Sequence, residues 1–309
     1  MAFAPHAYTL PITPASVAIQ GQAGSFSHST CRAVFNELND DAIQFYDTFD
    51  EPFEAVVSGR AALAVIPVFN TIAGPVPYVH RLIRNKKLFA VGEYFHPIEM
   101  CLMGLPGANV MHITKVSSHI HALNQCRLYL DRHPYMERIV HADTGGSARD
   151  VAKGGDAAHA SIASAFAAQL YGLKILERGV QDKKKNVTHF LILSGKPLAH
   201  DHEPAREYVT TFLIKPYRRI DRPLKAIIDV LSEKGLYYRT PMEFSDADMR
   251  PEEFLVEVFE HRAHPAMAAA LKALGPSRNG GGISSRLDIT GCYPAHHYTR
   301  FGRRRHAPG

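Results

Sequence analysis

The sequence predicts an α/β protein in two parts. Strands and helices alternate from about residue 16 to 196, which implies βαβ units on a largely parallel sheet. Beyond a polar break at Ala199–Pro204, the order βαββαβ over about 207–291 is the ferredoxin-like layout. A third observation joins chemistry to this frame: four strand mouths carry Ser, Thr, Asn or Gly, where open α/β sheets bind ligands.

Ser16–Gln20 is a short β-type run that stops at the glycine turn Gly21–Ser27, and 29–38 can be helical. A strand, a glycine turn and a helix start aim free N–H groups at an anion. A helical segment at 53–58 precedes the buried-type strand 62–68 (ALAVIPV), whose mouth carries Asn70 and Thr71 before helical spacing over 76–82. A second series begins with a β segment at 99–104 and a serine-capped helix over 117–126. The strand 139–142 leads into Asp143–Ala148, which opens a helix around Thr144 and Gly145. Residues 157–168 are alanine-rich and read as helix, and 174–176 as strand. Lys183–Leu193 then places Asn186, Thr188 and His189 at the mouth of an apolar strand. In the second part, strands are expected at 208–215, 235–244, 253–260 and 283–289, and helices at 223–234 and 265–274.

Composition narrows the function classes. The formal charge of +5 in 309 residues is modest, and much of it sits in a basic tail at 292–309, so no nucleic acid is expected. Eighteen histidines are scattered without HExxH or Cys/His spacing, which argues for no metal. Four cysteines without CxxC fit a reduced, cytoplasmic protein. No stretch reaches about 18 uninterrupted apolar residues, so no membrane span is expected.

Five blocks in order resemble the prephenate dehydratase family. Gly21–Ser27 matches its glycine-rich opening, Pro67–Gly74 its PxENSxxG segment and Ser118–Cys126 its SHPxALxQC helix. Asp143–Ala148 is similar to its Ser/Thr/Ala turn, and Asn186–Phe190 to its NxTRF signature. The resemblance implies a periplasmic-binding-protein-like pair of α/β lobes over 15–196, one at about 16–95 with 189–196 and the other at 96–188, followed by an ACT domain. It implies decarboxylating dehydration of prephenate without a cofactor, with Thr188 as proton donor. Substrate contacts are expected from Ser25, Ser27, Asn70, Thr71, Thr144, Gly145, His189 and Phe190. Three family positions differ: Phe69 stands for glutamate, Thr71 for serine and His189 for arginine. Arginine to histidine exchanges a permanent cation for a group mostly neutral at pH 7.

In the ACT region the family's GALx and ESRP segments are replaced by Arg222–Ala226 and Met242–Ser245. Weak or absent inhibition by L-phenylalanine is therefore expected, with the domain kept for a homodimer. Alternatives are an arogenate dehydratase, a prephenate decarboxylase, a non-catalytic sensor, or an enzyme repurposed to another small anionic or acyl substrate.

Overall fold

A computed structural model of the chain describes residues 13–203, 205–245, 251–277 and 282–296. Of the expected basic tail at 292–309, residues 297–309 lie outside them. The chain forms two compact units: one built from residues up to Leu82 and from Tyr94–Leu191, the other from Ile83–Glu93 and the residues from Ile192 onward.

The first unit opens with β1 (Val17–Gln20), α1 (Phe26–Val34), β2 (Ile43–Tyr46), α2 (Asp50–Val57), β3 (Leu63–Asn70) and the short β4 (Gly74–Pro75). Next come α3 (Val79–Lys86) and β5 (Phe89–Pro97), in both of which the chain passes between units. The first unit continues through β6 (Cys101–Gly104), β7 (Lys115–His119), α4 (Ile120–Gln125), α5 (Arg127–Asp131), β8 (Glu137–His141) and α6 (Thr144–Gly154). It closes with β9 (His159–Ala163), α7 (Ala165–Tyr171), β10 (Lys174–Glu177) and β11 (Val187–Ser194), the last of which passes to the second unit after Leu191.

Its first sheet has the order β11-β3-β1-β2, with β1 parallel to both β2 and β3. Its second has the order β10-β6-β9-β7-β8 and is mixed. Strand β7 runs parallel to β8 and β9, whereas β6 lies antiparallel between β9 and β10. The expectation of a largely parallel sheet fails there for a topological reason. Within this sheet β6 leads to β7 through residues 105–114 with no crossover α-helix, unlike the helix-linked β7, β8 and β9.

Two other expectations are corrected. Residues 157–168 are not one helix: His159–Ala163 is a buried strand, and helix α7 starts after the Ser164 cap. Alanine alone favours a helix, and pairing of 159–163 between β6 and β7 overrides that preference. In the expected helix 117–126, Ser117 and Ser118 belong to β7, and α4 is capped instead by His119.

The second unit carries β12 (Tyr208–Pro216), α8 (Pro223–Glu233), β13 (Tyr238–Ser245), β14 (Pro251–Val258), α9 (Pro265–Leu274) and β15 (Ser284–Pro294). Its antiparallel order β13-β14-β12-β15 realises the βαββαβ layout expected from the sequence. Phe212, Phe254 and Val256 of the sheet pack against Ile227 and Leu231 of α8 and Met267 of α9. Strand β15 also pairs with β5 at Gly291 and Ala90. Arg222, Lys225, Asp229, Glu243 and Phe254 line a cavity of about 470 Å³, so the two altered family segments meet at one place.

Candidate active site

At the junction of β3 and β11, Asn70 organises a relay of side-chain amides. Its Oδ1 accepts from Ile72 N and Ala73 N, both at 2.9 Å, which fixes the orientation of the amide. Its Nδ2 donates to Asn186 Oδ1 at 2.8 Å and to Thr188 Oγ1 at 2.9 Å. Asn186 Nδ2 in turn donates to Gln125 Oε1 at 2.9 Å. The backbone supports the same junction: Thr71 N donates to Val187 O, and Val187 N donates to Thr71 Oγ1, each at 3.0 Å. With an amide hydrogen on its oxygen, the 8% exposed Thr188 hydroxyl has its own hydrogen available to donate.

The glycine turn forms a second polar set. Ser25 caps α1 by accepting from His28 N at 3.2 Å, and Ser27 is buried in the first turn. Asp143 caps α6 by accepting from Gly146 N at 2.7 Å, which places Thr144 and Gly145 at that helix start. A Cβ on Gly145 would press into Ala23 O and stand 2.8 Å from Ser25 N, so only glycine lets α6 approach the turn. Helix α7 also grips the turn: Ser164 Oγ donates to Gly24 O at 3.1 Å and Tyr171 Oη to Ala23 O at 2.7 Å.

Strands β1 and β3 are parallel neighbours with Ile19 opposite Val65. The Gly21–Ser27 turn and the Asn70 junction therefore both leave the carboxyl end of one sheet, where α/β folds bind ligands. Among the described residues, no three His, Cys, Asp or Glu side chains converge as a metal-ligand set.

A family model described as prephenate dehydratase matches residues 17–198. The chain belongs to the prephenate dehydratase family. It is 32% identical over 284 residues to the bifunctional N-acyl-homoserine lactone acylase/prephenate dehydratase of Komagataeibacter europaeus, spanning 92% of this chain and 97% of that one. It is 31% identical to arogenate dehydratase 1 of Petunia hybrida, over 90% of this chain and 68% of the relative. Among solved structures, one described as a novel type of quorum-quenching acylase has a TM-score of 0.78 at 31% identity, covering 92% of this chain and 99% of its own. A prephenate dehydratase from Arthrobacter aurescens, solved in complex with L-Phe, shares the fold at 24% identity with a TM-score of 0.75, covering 90% and 89% of the two chains.

Against the prephenate dehydratase pattern, the departures are now located. Phe69 is 42% exposed at the end of β3. His189 is 4% exposed and stacks flat on Phe95, with centroids 4.2 Å apart and planes 1° from parallel. Alternation along β11 turns it to the face opposite Thr188. Phe190 is buried, with an edge contact to His96.

Asn186 and Gln125 were not among the expected site residues, although each lies in a family-like block. Ser164 and Tyr171 gave no signal in the sequence. They act on carbonyls 140 and 148 residues away.

Proposed function

We propose that this chain is a prephenate dehydratase with Thr188 as its proton donor. The observation that carries the reading is the hydrogen bond from Asn70 Nδ2 to Thr188 Oγ1. A donor at that oxygen steadies the negative charge that grows as the proton leaves, and it turns the O–H away from Asn70.

In the reaction, the bond from the ring to its carboxylate breaks and carbon dioxide leaves. The released electron pair completes the aromatic ring, and the ring hydroxyl departs as water with a proton delivered through Thr188. A positioned proton donor contributes about 10²–10⁴ in rate. Asn70 and Thr71 orient the ring hydroxyl, while Ser25, Ser27, Thr144 and Gly145 receive carboxylate oxygens at two helix starts. Residues of the chain suffice for these steps, without a cofactor.

The test is turnover of prephenate to phenylpyruvate by the full chain without added metal, with arogenate assayed in parallel. Formation of phenylpyruvate is expected, and turnover of neither substrate would refute the proposal. A second reading rests on the similarity to the Komagataeibacter europaeus enzyme, which supports cleavage of an acyl-homoserine lactone. His159 Nε2 lies 3.1 Å from Ser117 Oγ, but Ser117 is 3% exposed and shares its hydroxyl with Ser147, so this pair offers no accessible nucleophile. Release of homoserine lactone from an acyl-homoserine lactone would establish that activity. We also assign the chain to the cytoplasm, consistent with the four buried free thiols Cys31, Cys101, Cys126 and Cys292. Its second unit is assigned to homodimer formation.

A further inference from the structure

The Gly21–Ser27 turn is held through its backbone, and one of its bonds ends on a titratable ring. Gly24 N donates to His28 Nδ1 at 3.1 Å. Gly24 has φ +83°, and a Cβ there would stand 3.0 Å from Tyr171 Cε2 and 3.3 Å from Ala167 Cβ, so the peptide has little room to rearrange. His28 is 2% exposed and lies edge-on to Phe45 and Phe166, with centroids 5.0 and 4.8 Å away.

Acceptance at Nδ1 requires the neutral tautomer with its hydrogen on Nε2. That nitrogen faces Asp40 Oδ1 at 3.6 Å, beyond a normal hydrogen bond, and Asp40 in turn lies 3.5 Å from Arg32 Nη1. Asp40 and Arg32 are the charged groups acting on the ring, while Phe45 from β2 and Phe166 from α7 present carbon to it. Burial pulls the His28 pKa below its ordinary 6.5, with Asp40 opposing and Arg32 reinforcing that shift.

We propose that His28 is a positioning residue: as a neutral acceptor it fixes the Gly24 peptide and with it the substrate-facing groups of the turn, and protonation of the ring releases them. The substrate part of this inference rests on the dehydratase reading, whereas the positioning part does not.

The two parts are separated by measuring amide hydrogen exchange of residues 21–27 in the full chain at pH 7.5 and 5, expressed as protection factors. The same proteins are assayed with prephenate. His28→Leu should lower protection at Gly24 about five- to tenfold at pH 7.5, the worth of one hydrogen bond. His28→Asn supplies an amide oxygen that accepts without titrating, so it should restore protection and remove the acid-induced loss seen in wild type. Prephenate KM should rise in His28→Leu with kcat nearly unchanged, and recover in His28→Asn.

Unchanged protection in a folded His28→Leu overturns the proposal. Should that variant not fold, an identical acid response in wild type and His28→Asn overturns it equally. Exchange as expected, together with no wild-type turnover of prephenate, upholds His28 as the anchor of the turn and removes the dehydratase reading.

Discussion

At the scale of single residues, Asn70 makes the direction of one hydrogen bond testable. Thr188→Ala removes the proposed acid and should lower turnover by about 10² or more. The hydroxyl lost takes one acceptor from Asn70, so the stability cost should be on the order of 1 kcal/mol. Asn70→Asp is the sharper variant. Its carboxylate can still accept from Ile72 N and Ala73 N, but it can no longer donate to Thr188. The Thr188 hydrogen should then turn inward, and turnover should fall about as far as in Thr188→Ala although the hydroxyl remains. Steady-state kinetics with a thermal melt checks both. His189→Arg follows a different logic: it puts a guanidinium where a flat ring stacks on Phe95 at 4% exposure, so the melting temperature should drop and KM for prephenate should not improve. Thr188 and Asn70 were legible in the sequence because one opens and the other closes an apolar strand-type run. The relay was not, since Asn70 meets its partners across 116 and 118 residues.

Among the elements, α1, β5 and β11 supply the aromatic surroundings of His96. Its ring has edge or tilted contacts with Phe26, Tyr94 and Phe190, and its buried Nδ1 has no partner among the described residues. Burial drives its pKa down from 6.5 to about 4. A histidine whose folded pKa is lowered is neutral when buried and charged when unfolded, so acid favours the unfolded chain. The stability associated with His96 is complete above pH 6.5 and drains away as pH falls toward 4, by on the order of 3 kcal/mol. His96→Phe should therefore flatten the decline of stability with pH in denaturant titrations across that window. Helix α7 shows where element reading fails. Alanine favours a helix, but pairing between β6 and β7 holds His159–Ala163 as a buried strand up to the Ser164 cap. The glycine turn was easier, because φ > 0 at Gly21 and Gly24 is a demand that the sequence states openly.

For the whole molecule, the sequence showed two parts and the ferredoxin-like order of the second, because strand and helix periods alternate cleanly there. It did not show that Ile83–Glu93 joins the second unit, since that pairing depends on Gly291, some two hundred residues away. The cavity of the second unit is lined by Pro223, Leu224, Ile228 and Phe254 together with Arg222, Lys225, Asp229 and Glu243, and both altered family segments, Arg222–Ala226 and Met242–Ser245, contribute to it. L-phenylalanine should accordingly bind weakly or not at all by calorimetry, and sedimentation should show a dimer with or without it. Micromolar binding would refute the first expectation, and a monomer the second. Ile83–Glu93 also leaves the ribosome well before the rest of its unit. On a ribosome adding about 5–20 residues per second, Ala90 emerges roughly 10–40 s before its partner Gly291. Through that interval the edge of β5 that will meet Gly291 waits without its mate, and a nascent chain stalled between Leu191 and Gly291 is where a chaperone would find it.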